Sequence, residues 1–358
     1  MLKRKHIFFL FLIITHSLIG QNIKFKRLSP EQGLSVNEVN CIVQDSKGFL
    51  WFGTKNGLDR YDGKKIVTYK NHPDDSSTIS DNDILSLFID RDGDMWVGTD
   101  DGGLNFYQRN ENRFKSYRWL LNCSNCLSNN TVRAITQDQE GLIWMGTDSG
   151  LNSFNKTTGK IKNYTFDLTN GDFLFENQIY ALHEDKEGVL WIGTVKSGLA
   201  SFNKSTGKFT SYDQKGDFNQ RIRCIYEDSR NNLWVGSDGG GLSIFDRNTL
   251  KFKNFLPDGT EGSISNRRIF SILEDKKGKL WIGTLGGGVN SFDFETESFK
   301  SFKFDPDDSY SLSSDMVRFL YEDKAGSIWI ATNTAGVNVY HLTSNQFGLL
   351  KKESKGAN

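Results

Sequence analysis

Seven tryptophan-centred phrases, spaced 43 to 48 residues apart, predict an all-β protein: a seven-bladed β-propeller of four-stranded antiparallel blades. The tryptophans are Trp51, Trp96, Trp144, Trp191, Trp234, Trp281 and Trp329. The 358-residue chain is also rich in Gly (35) and poor in Pro (4), as expected for many short strands joined by tight turns. Beyond residue 20, no stretch has helical hydrophobic periodicity.

Each unit contains four predicted strands in a fixed order. The first is an alternating segment such as "VRAITQD" that ends in Asp, with Gly or Asn shortly after it. The second is "LWIGT" or a close variant, and a glycine turn leads to "LNSF"-type text. A turn such as "NKTTGK" then precedes an aromatic fourth strand. Asp before Gly favours a hairpin because Asp accepts local backbone hydrogen bonds and Gly tolerates positive φ; Asn231 takes the Gly position in unit five.

The repeated tryptophan predicts how the blades pack. A blade has two apolar faces and cannot bury both alone, so neighbouring blades must cover them. We expect each indole to lie between adjacent blades, and the Gly two residues later to leave room for the neighbour's backbone. Unit seven has the small residue Ala331 at that Gly position.

The two ends of the chain both contain a candidate outer strand. The text from Phe25, "FKRLSPEQGLS", resembles the outer-strand text from Phe252 and Phe299. We therefore expect Ile23–Leu28 to complete the last blade and the ring. The C-terminal stretch "NQFGLLKKES" is then surplus. The expected division is a propeller over residues 21–345 and a tail or surplus outer strand over 346–358.

Residues 1–20 have the pattern of a secretory signal peptide. Basic Lys3, Arg4 and Lys5 precede an apolar run that is short for a membrane span, and small residues follow near Gly20. Cleavage and a periplasmic location are expected. The formal net charge is zero, so nothing indicates a nucleic-acid partner.

The four cysteines fall into two groups. Cys123 and Cys126 lie in a predicted loop, where export permits a local disulfide; a zinc site would need two further ligands. The sequence leaves the state of this pair open. Cys41 and Cys224 occupy equivalent strand positions and are expected to be small buried side chains.

Comparing the seven units separates shared positions from variable ones. An aliphatic residue near the start of each first strand is followed by a position of mixed chemistry, namely Asn40, Leu85, Arg133, Tyr180, Arg223, Phe270 and Arg318. Propeller topology places this position on one rim with the interblade loops and the glycine turns. We predict a ligand-binding site on that rim, formed by Asn40, Trp119, Arg133, Tyr180, Arg223, Arg267, Phe270 and Arg318.

Guanidinium groups, amides and aromatic rings suit a hydroxyl-rich or carboxylate-bearing ligand. Trp119, in the loop between units two and three, could stack on a sugar ring. Two alternatives stay open. Arginines near a propeller channel can satisfy backbone carbonyls, and a loop tryptophan can cover a blade edge.

No pattern in the chain indicates catalysis. The histidines His6, His16, His72, His183 and His341 have no metal or triad spacing. "DRDGD" (Asp90 to Asp94) resembles the opening of a calcium loop, but the rest of such a loop is absent and a hairpin turn is favoured. We expect no catalytic residue, no metal and no cofactor.

The phrase "GLSVNEVNCIVQDSKGFLWFGTKNGLDRYDG" and its six echoes resemble the propeller repeats of periplasmic sensors in bacterial hybrid two-component systems, best known from gut Bacteroidetes. The resemblance covers nearly all of the expected mature chain. It implies sensing of carbohydrate breakdown products. Family members usually add a second propeller, a kinase and a receiver; this chain resembles the first propeller alone, so kinase activity is not expected of it.

The sequence therefore predicts a periplasmic ligand-sensing module for an oligosaccharide or another small polar ligand. A second propeller or a kinase-bearing polypeptide is a candidate partner, and so is a second copy of the chain. The alternatives are a scaffold that docks to another protein and, ranked last, a propeller lyase or quinoprotein enzyme.

Overall fold

In the computed structural model, which describes residues 23–164, 178–212 and 221–341, 28 strands form seven four-stranded antiparallel sheets. The predicted seven-bladed propeller is confirmed. The expected signal peptide and the tail 346–358 lie outside the described residues. Within the described residues, no helix is long and apolar enough to span a membrane.

The strands occupy equivalent places in every blade. The innermost strands are β2 (Val39–Gln44), β6 (Ile84–Ile89), β10 (Val132–Gln137), β14 (Ile179–Glu184), β18 (Ile222–Glu227), β22 (Ile269–Glu274) and β26 (Val317–Glu322). The second strands are β3 (Leu50–Thr54), β7 (Met95–Thr99), β11 (Ile143–Thr147), β15 (Leu190–Thr194), β19 (Leu233–Ser237), β23 (Leu280–Thr284) and β27 (Ser327–Thr332). The third strands are β4 (Gly57–Tyr61), β8 (Leu104–Gln108), β12 (Gly150–Asn155), β16 (Leu199–Asn203), β20 (Leu242–Asp246), β24 (Val289–Asp293) and β28 (Val337–His341). The outermost strands are β5 (Ile66–Tyr69), β9 (Arg113–Tyr117), β13 (Lys160–Tyr164), β17 (Lys208–Ser211), β21 (Lys251–Phe255), β25 (Ser298–Phe302) and β1 (Phe25–Leu28).

The N-terminal strand closes the ring, as predicted. β1 pairs antiparallel with β28, so the last blade combines the two ends of the described chain in the order β1-β28-β27-β26. Across the same junction, the backbone N–H of Lys324 donates to Gln44 at 2.8 Å, and its Nζ donates to the carbonyl of Asp45 at 3.0 Å. Closure leaves no blade without a neighbour, so both apolar faces of every sheet are covered.

The seven repeat tryptophans lie between blades, which confirms the predicted packing. None is more than 7% exposed. Each indole contacts an aromatic ring on the third strand of the next blade, with centroid separations of 5.2 to 6.2 Å. The pairs are Trp51–Tyr107, Trp96–Phe154, Trp144–Phe202, Trp191–Phe245, Trp234–Phe292, Trp281–Tyr340 and, across the closure, Trp329–Tyr61.

A buried carboxylate joins every tryptophan to its hairpin. The Asp six residues before the indole accepts its Nε1–H at 2.7 to 3.0 Å; the seven acceptors are Asp45, Asp90, Asp138, Asp185, Asp228, Asp275 and Asp323. In the sixth blade, the other oxygen of Asp275 accepts the backbone N–H groups of Lys277 and Lys279. The sequence indicated the backbone bonds but not the indole bond. Asn231 adopts the predicted left-handed conformation, with φ 65°.

The glycine two residues after the tryptophan makes room for the next blade, but chiefly for a side chain. A Cβ on Gly236 would lie 2.7 Å from Ile269 Cγ2, and one on Gly193 would lie 2.6 Å from Ile222 Cγ2. The expectation of backbone contact was therefore wrong at most positions, although at Gly98 the Val132 carbonyl also approaches. The aliphatic residue of each innermost strand fills this space.

Hydrogen bonds from five of the hairpin turns to the next blade stabilise the face opposite the predicted site. The backbone N–H of the residue after the turn Asp donates to Gln or Glu at the end of the next innermost strand. The five pairs are Arg91–Gln137, Lys186–Glu227, Ser229–Glu274, Lys276–Glu322 and Lys324–Gln44. These bonds hold neighbouring blades in register.

Replacing Asp275 should test the contribution of the shared carboxylate. Asp275→Ala leaves the buried Trp281 N–H and two backbone N–H groups without their acceptor, so we expect a loss of about 2–4 kcal/mol in the free energy of unfolding. Asp275→Asn keeps one acceptor oxygen and should lose less. Urea unfolding measures both. The exposed turn residue Asp246, changed to Ala, is the control; an equal loss in the control would contradict the assigned role.

The stability of the protein at low pH should depend on Asp45, the first of these carboxylates. Burial alone would raise the pKa of Asp45, but the Trp51 indole and the Arg109 guanidinium outweigh it and hold the pKa below 3.8. The stability conferred is complete above about pH 3.8 and is lost as pH falls through the lower folded value. Arg109→Gln should therefore move the acid loss of melting temperature to higher pH, whereas exposed Arg113→Gln should not. Superimposable acid profiles for Arg109→Gln and wild type would contradict this.

Candidate functional site

The residue of mixed chemistry is a β-bulge in all seven blades. In the third blade, Val132 pairs with Thr147 and Ala134 with Gly146, which leaves Arg133 outside the ladder. The same register shift occurs in the other six innermost strands. A bulge redirects a side chain without breaking the flanking pairs. This position can therefore vary at little cost to the sheet.

The seven bulged residues line one central channel of about 540 Å³. All seven innermost strands contribute to its wall. Six predicted site residues meet there: Asn40, Arg133, Tyr180, Arg223, Phe270 and Arg318. We call these six, with the loop residues that bond to them, the channel mouth.

Two other predicted residues lie outside the channel wall. Trp119 is 46% exposed in the loop between β9 and β10, and its backbone N–H donates to Asn130 at 2.8 Å. The side chain of Arg267 is exposed, while its carbonyl accepts the N–H groups of Gly239 and Gly241. Ligand contact by these residues, as by the other six, stays a prediction.

Arginines in the mouth pair with the residue that follows the "GT" or "GS" of the same blade. Arg133 makes a bidentate pair with Asp148, at 2.6 and 2.9 Å. Asp238 accepts from Arg223 at 3.0 Å and from Arg268 of the next blade's loop at 2.7 Å. These contacts place the glycine loops beside the bulges, as the topology predicted.

Guanidinium groups and rings alternate around part of the mouth. The Tyr180 ring has Arg133 at 4.7 Å and Arg223 at 4.2 Å from its centroid. Arg223 also lies 5.0 Å from the centroid of Phe270. Cation–π contacts of this kind hold the arginine side chains in place. Because guanidinium groups already contact Tyr180, we expect its hydroxyl edge rather than its ring face to meet a ligand.

Charge is distributed unevenly around the channel. Burial alone would raise the pKa of Asp238, but Arg268 and Arg223 outweigh it and hold the pKa below its ordinary value. On the second blade, burial and the nearby Asp100 raise the pKa of Asp83. The arginines belong mainly to blades three, five, six and seven, so the mouth has a basic side and an acidic side.

The hydrogen bonds of Asn40 are those of a structural residue that joins two blades. Its Nδ2 donates to the Ile84 carbonyl at 2.8 Å and to Asp83 at 3.3 Å. It bridges the first two blades through the Ile84 carbonyl and the Asp83 carboxylate.

The sequence analysis missed Asp148, Asp238 and Asn333, which are the partners of the mouth arginines, and Arg268, which also donates to Asp238. Their signal was available. The position 15 residues after the bulge is Asp148 for Arg133, Asp238 for Arg223 and Asn333 for Arg318. Only the folded hairpin shows that this spacing brings the pair into contact.

The calcium-like segment forms a hairpin turn whose acidic groups enclose a lysine. Nζ of Lys156, from the next blade, lies 2.7 Å from a carboxylate oxygen of each of Asp90, Asp92 and Asp94. Those three acids form a group with metal-ligand spacing among the described residues. Here the Lys156 ammonium group lies among the three carboxylates and offsets part of their charge.

The structure resolves the open question about the cysteine pair. Cys123 and Cys126 form a disulfide in the loop that carries Trp119. Cys41 is buried, and Cys224 is half-buried in the channel wall, where burial raises its pKa to about 12. The described histidines lie in separate parts of three blades: the loop after β5, β14 and β28.

Comparison with known proteins identifies the repeat. Two component regulator propeller repeats match residues 33–56, 78–101, 126–149, 174–196, 216–239, 263–286 and 311–334. The chain belongs to the two component regulator propeller family. The regulator propeller is homologous to extracellular sensor domains of hybrid two-component systems.

Two relatives show how much of a longer protein the regulator propeller matches. The extracellular domain of BT3049 from B. thetaiotaomicron, assigned as a hybrid two component system, is 31% identical with a TM-score of 0.78. The match covers 89% of this chain and 42% of that one. Histidine kinase P4 of Formosa agariphila is 43% identical over 74 residues, which is 21% of this chain and 5% of the kinase. The regulator propeller spans less than half the length of either.

Virginiamycin B lyase from Staphylococcus aureus shares the fold alone. Its TM-score is 0.68, but the identity is 16%, over 89% of this chain and 99% of the lyase. The sensor domains are the nearer neighbours of the regulator propeller, and the lyases are more distant.

Proposed function

We propose that the regulator propeller is a periplasmic ligand-sensing module that recognises a carbohydrate-derived ligand at the channel mouth. One observation carries the proposal: all seven blades keep the buried Trp–Asp pair and the aliphatic residue before the bulge, while the bulged residue varies among amide, leucine, arginine and aromatic side chains and lines the channel. Ligand binding at the mouth then changes the interaction with a signalling partner, which is either a second propeller or a kinase-bearing polypeptide.

The chemistry of the mouth supports a hydroxyl-rich ligand. Arg223 and Arg318 supply planar arrays of N–H donors. The Tyr180 hydroxyl both donates and accepts. Outside the channel wall, Trp119 is exposed in the loop between β9 and β10 and has an apolar ring suited to a sugar face. A disulfide between Cys123 and Cys126, together with the basic and apolar start of the chain, favours an exported location.

A titration of glycan fragments tests the proposal. We expect at least one fragment to bind in isothermal calorimetry, and Arg223→Ala to weaken it at least about tenfold, because the variant removes charge-assisted donors. Arg230 of the same blade, changed to Ala, is the matched control, since it lies in the opposite-face turn and pairs with Glu274. A panel without any binding fragment, or equal losses in both variants, would count against a glycan site at the mouth.

A protein-docking scaffold is the second candidate function. Trp119, Leu120 and Leu121 form a consecutive apolar run that is 46%, 59% and 76% exposed beside the Cys123–Cys126 disulfide. Exposed apolar side chains grouped in this way are typical of contact surfaces.

If this run docks onto a second copy of the chain, sedimentation should show association that increases with concentration. Leu121→Asp should abolish that association because a carboxylate cannot be buried there without a partner. Leu250→Asp changes another exposed leucine, 57% exposed in the turn between β20 and β21, and should leave association intact. A wild-type chain that stays monomeric at high concentration would rule out docking between copies.

A further inference from the structure

Arg318 differs from the two other bulged arginines in the charge of its partner. Arg133 bonds to Asp148 and Arg223 to Asp238, each 15 residues later and just after the second strand. At the same spacing, Nε of Arg318 donates to Asn333 Oδ1 at 2.7 Å. The geometry of the pair is kept, but the carboxylate is replaced by a neutral amide.

Because its partner is neutral, the positive charge of the Arg318 guanidinium is not compensated within its own blade. Arg133 uses two nitrogens in its bidentate pair, whereas Arg318 makes one side-chain hydrogen bond within the described chain. No carboxylate of the described residues lies within ion-pair distance of Arg318. Its remaining N–H donors belong to a side chain that lines the channel.

Nearby groups raise the free-energy cost of keeping Arg318 charged. Burial lowers the pKa of Arg318, and the nearby Arg223 and Arg268 lower it further. Glu38 and Asp83 act in the opposite direction, but Glu38 pairs with Lys55 at 3.0 Å, and Asp83 accepts from Asn40. A half-buried guanidinium with two cationic neighbours and no direct anion favours an anionic ligand.

We propose that Arg318 binds an acidic group, a carboxylate or a sulfate ester, on the ligand of the channel mouth. The inference rests on the proposed function because it concerns the same site. Arg223 shares Asp238 with Arg268, so the basic side of the mouth has fewer carboxylates than guanidinium groups. The acidic group would face blades five to seven, away from Asp83 and Asp100 on the second blade.

The test uses the whole chain and four probes: glucuronate, glucose 6-sulfate, glucose and inorganic sulfate. Side-chain arginine NMR signals, followed during titration at constant ionic strength, give a dissociation constant for each. We expect saturable binding of at least one sugar acid, and binding of glucose at least about tenfold weaker. Glucuronate binding alone would identify a carboxylate, and glucose 6-sulfate binding alone a sulfate ester.

Two variants distinguish an effect of the Arg318 charge on ligand binding from an effect on folding. Arg318→Gln removes the cation. Asn333→Asp keeps Arg318 but supplies the carboxylate present in blades three and five. Both should weaken the acidic probes at least about tenfold, and Asn333→Asp should keep or raise the melting temperature because it completes an ion pair. The controls are Arg230→Gln for loss of an arginine and exposed Asn248→Asp for an added negative charge; neither should change binding.

The outcomes distinguish this inference from the proposed function. If glucose binds as tightly as glucuronate and depends on Arg223 but not on Arg318, the acidic-group inference fails and carbohydrate recognition stands. If inorganic sulfate binds through Arg318 while no sugar does, the anion site stands and carbohydrate recognition fails. If glucuronate, glucose 6-sulfate and inorganic sulfate all fail to bind, or bind equally to wild type and Asn333→Asp, the inference is overturned.

Discussion

The hydrogen bond between a buried indole and a turn carboxylate is the interaction on which the rest of the molecule depends. An indole at an interblade interface must satisfy its N–H, and a buried carboxylate must find donors. One Asp meets both needs and also binds the hairpin backbone, as Asp275 does with Trp281. The bond links local turn geometry to packing between blades. Replacing a buried tryptophan by Ala costs about 3–5 kcal/mol, so seven such contacts determine whether the ring holds together.

A repeating bulge separates stability from recognition. The residues flanking it stay paired with the second strand, and the aliphatic side chain before it fills the space over the neighbouring glycine, as Ile269 does over Gly236. The bulged residue itself contributes little to the ladder. Because the same irregularity recurs seven times around one axis, it presents seven independent side chains to one channel. Ligand chemistry can change there without altering the packing between blades.

The distribution of charge in the mouth depends on the hydrogen-bonded pair that each bulged arginine forms within its own blade. A bulged arginine and the residue 15 positions later face each other across the first two strands, so the second residue decides whether the arginine's charge is compensated within the blade. Asp148 and Asp238 supply a negative charge, whereas Asn333 does not. Cation–π contacts with Tyr180 further restrain two of these arginines. The result is a rigid, polar mouth whose basic side differs from one blade to the next.

The sequence by itself determined the number of blades, the order of strands, the closing role of the N-terminal segment (predicted as Ile23–Leu28, found as Phe25–Leu28) and the positions free to vary. These follow from a 43–48-residue repeat and period-2 patterning, which are local and recur seven times. The signal peptide is not of this kind and stays a prediction. Only the tertiary structure decided that Trp144 binds Asp138, that Lys156 fills the acidic turn of the preceding blade, and that Asn333 faces Arg318. The physical reason is that these contacts depend on hairpin register and on the angle between neighbouring blades. A linear pattern specifies neither.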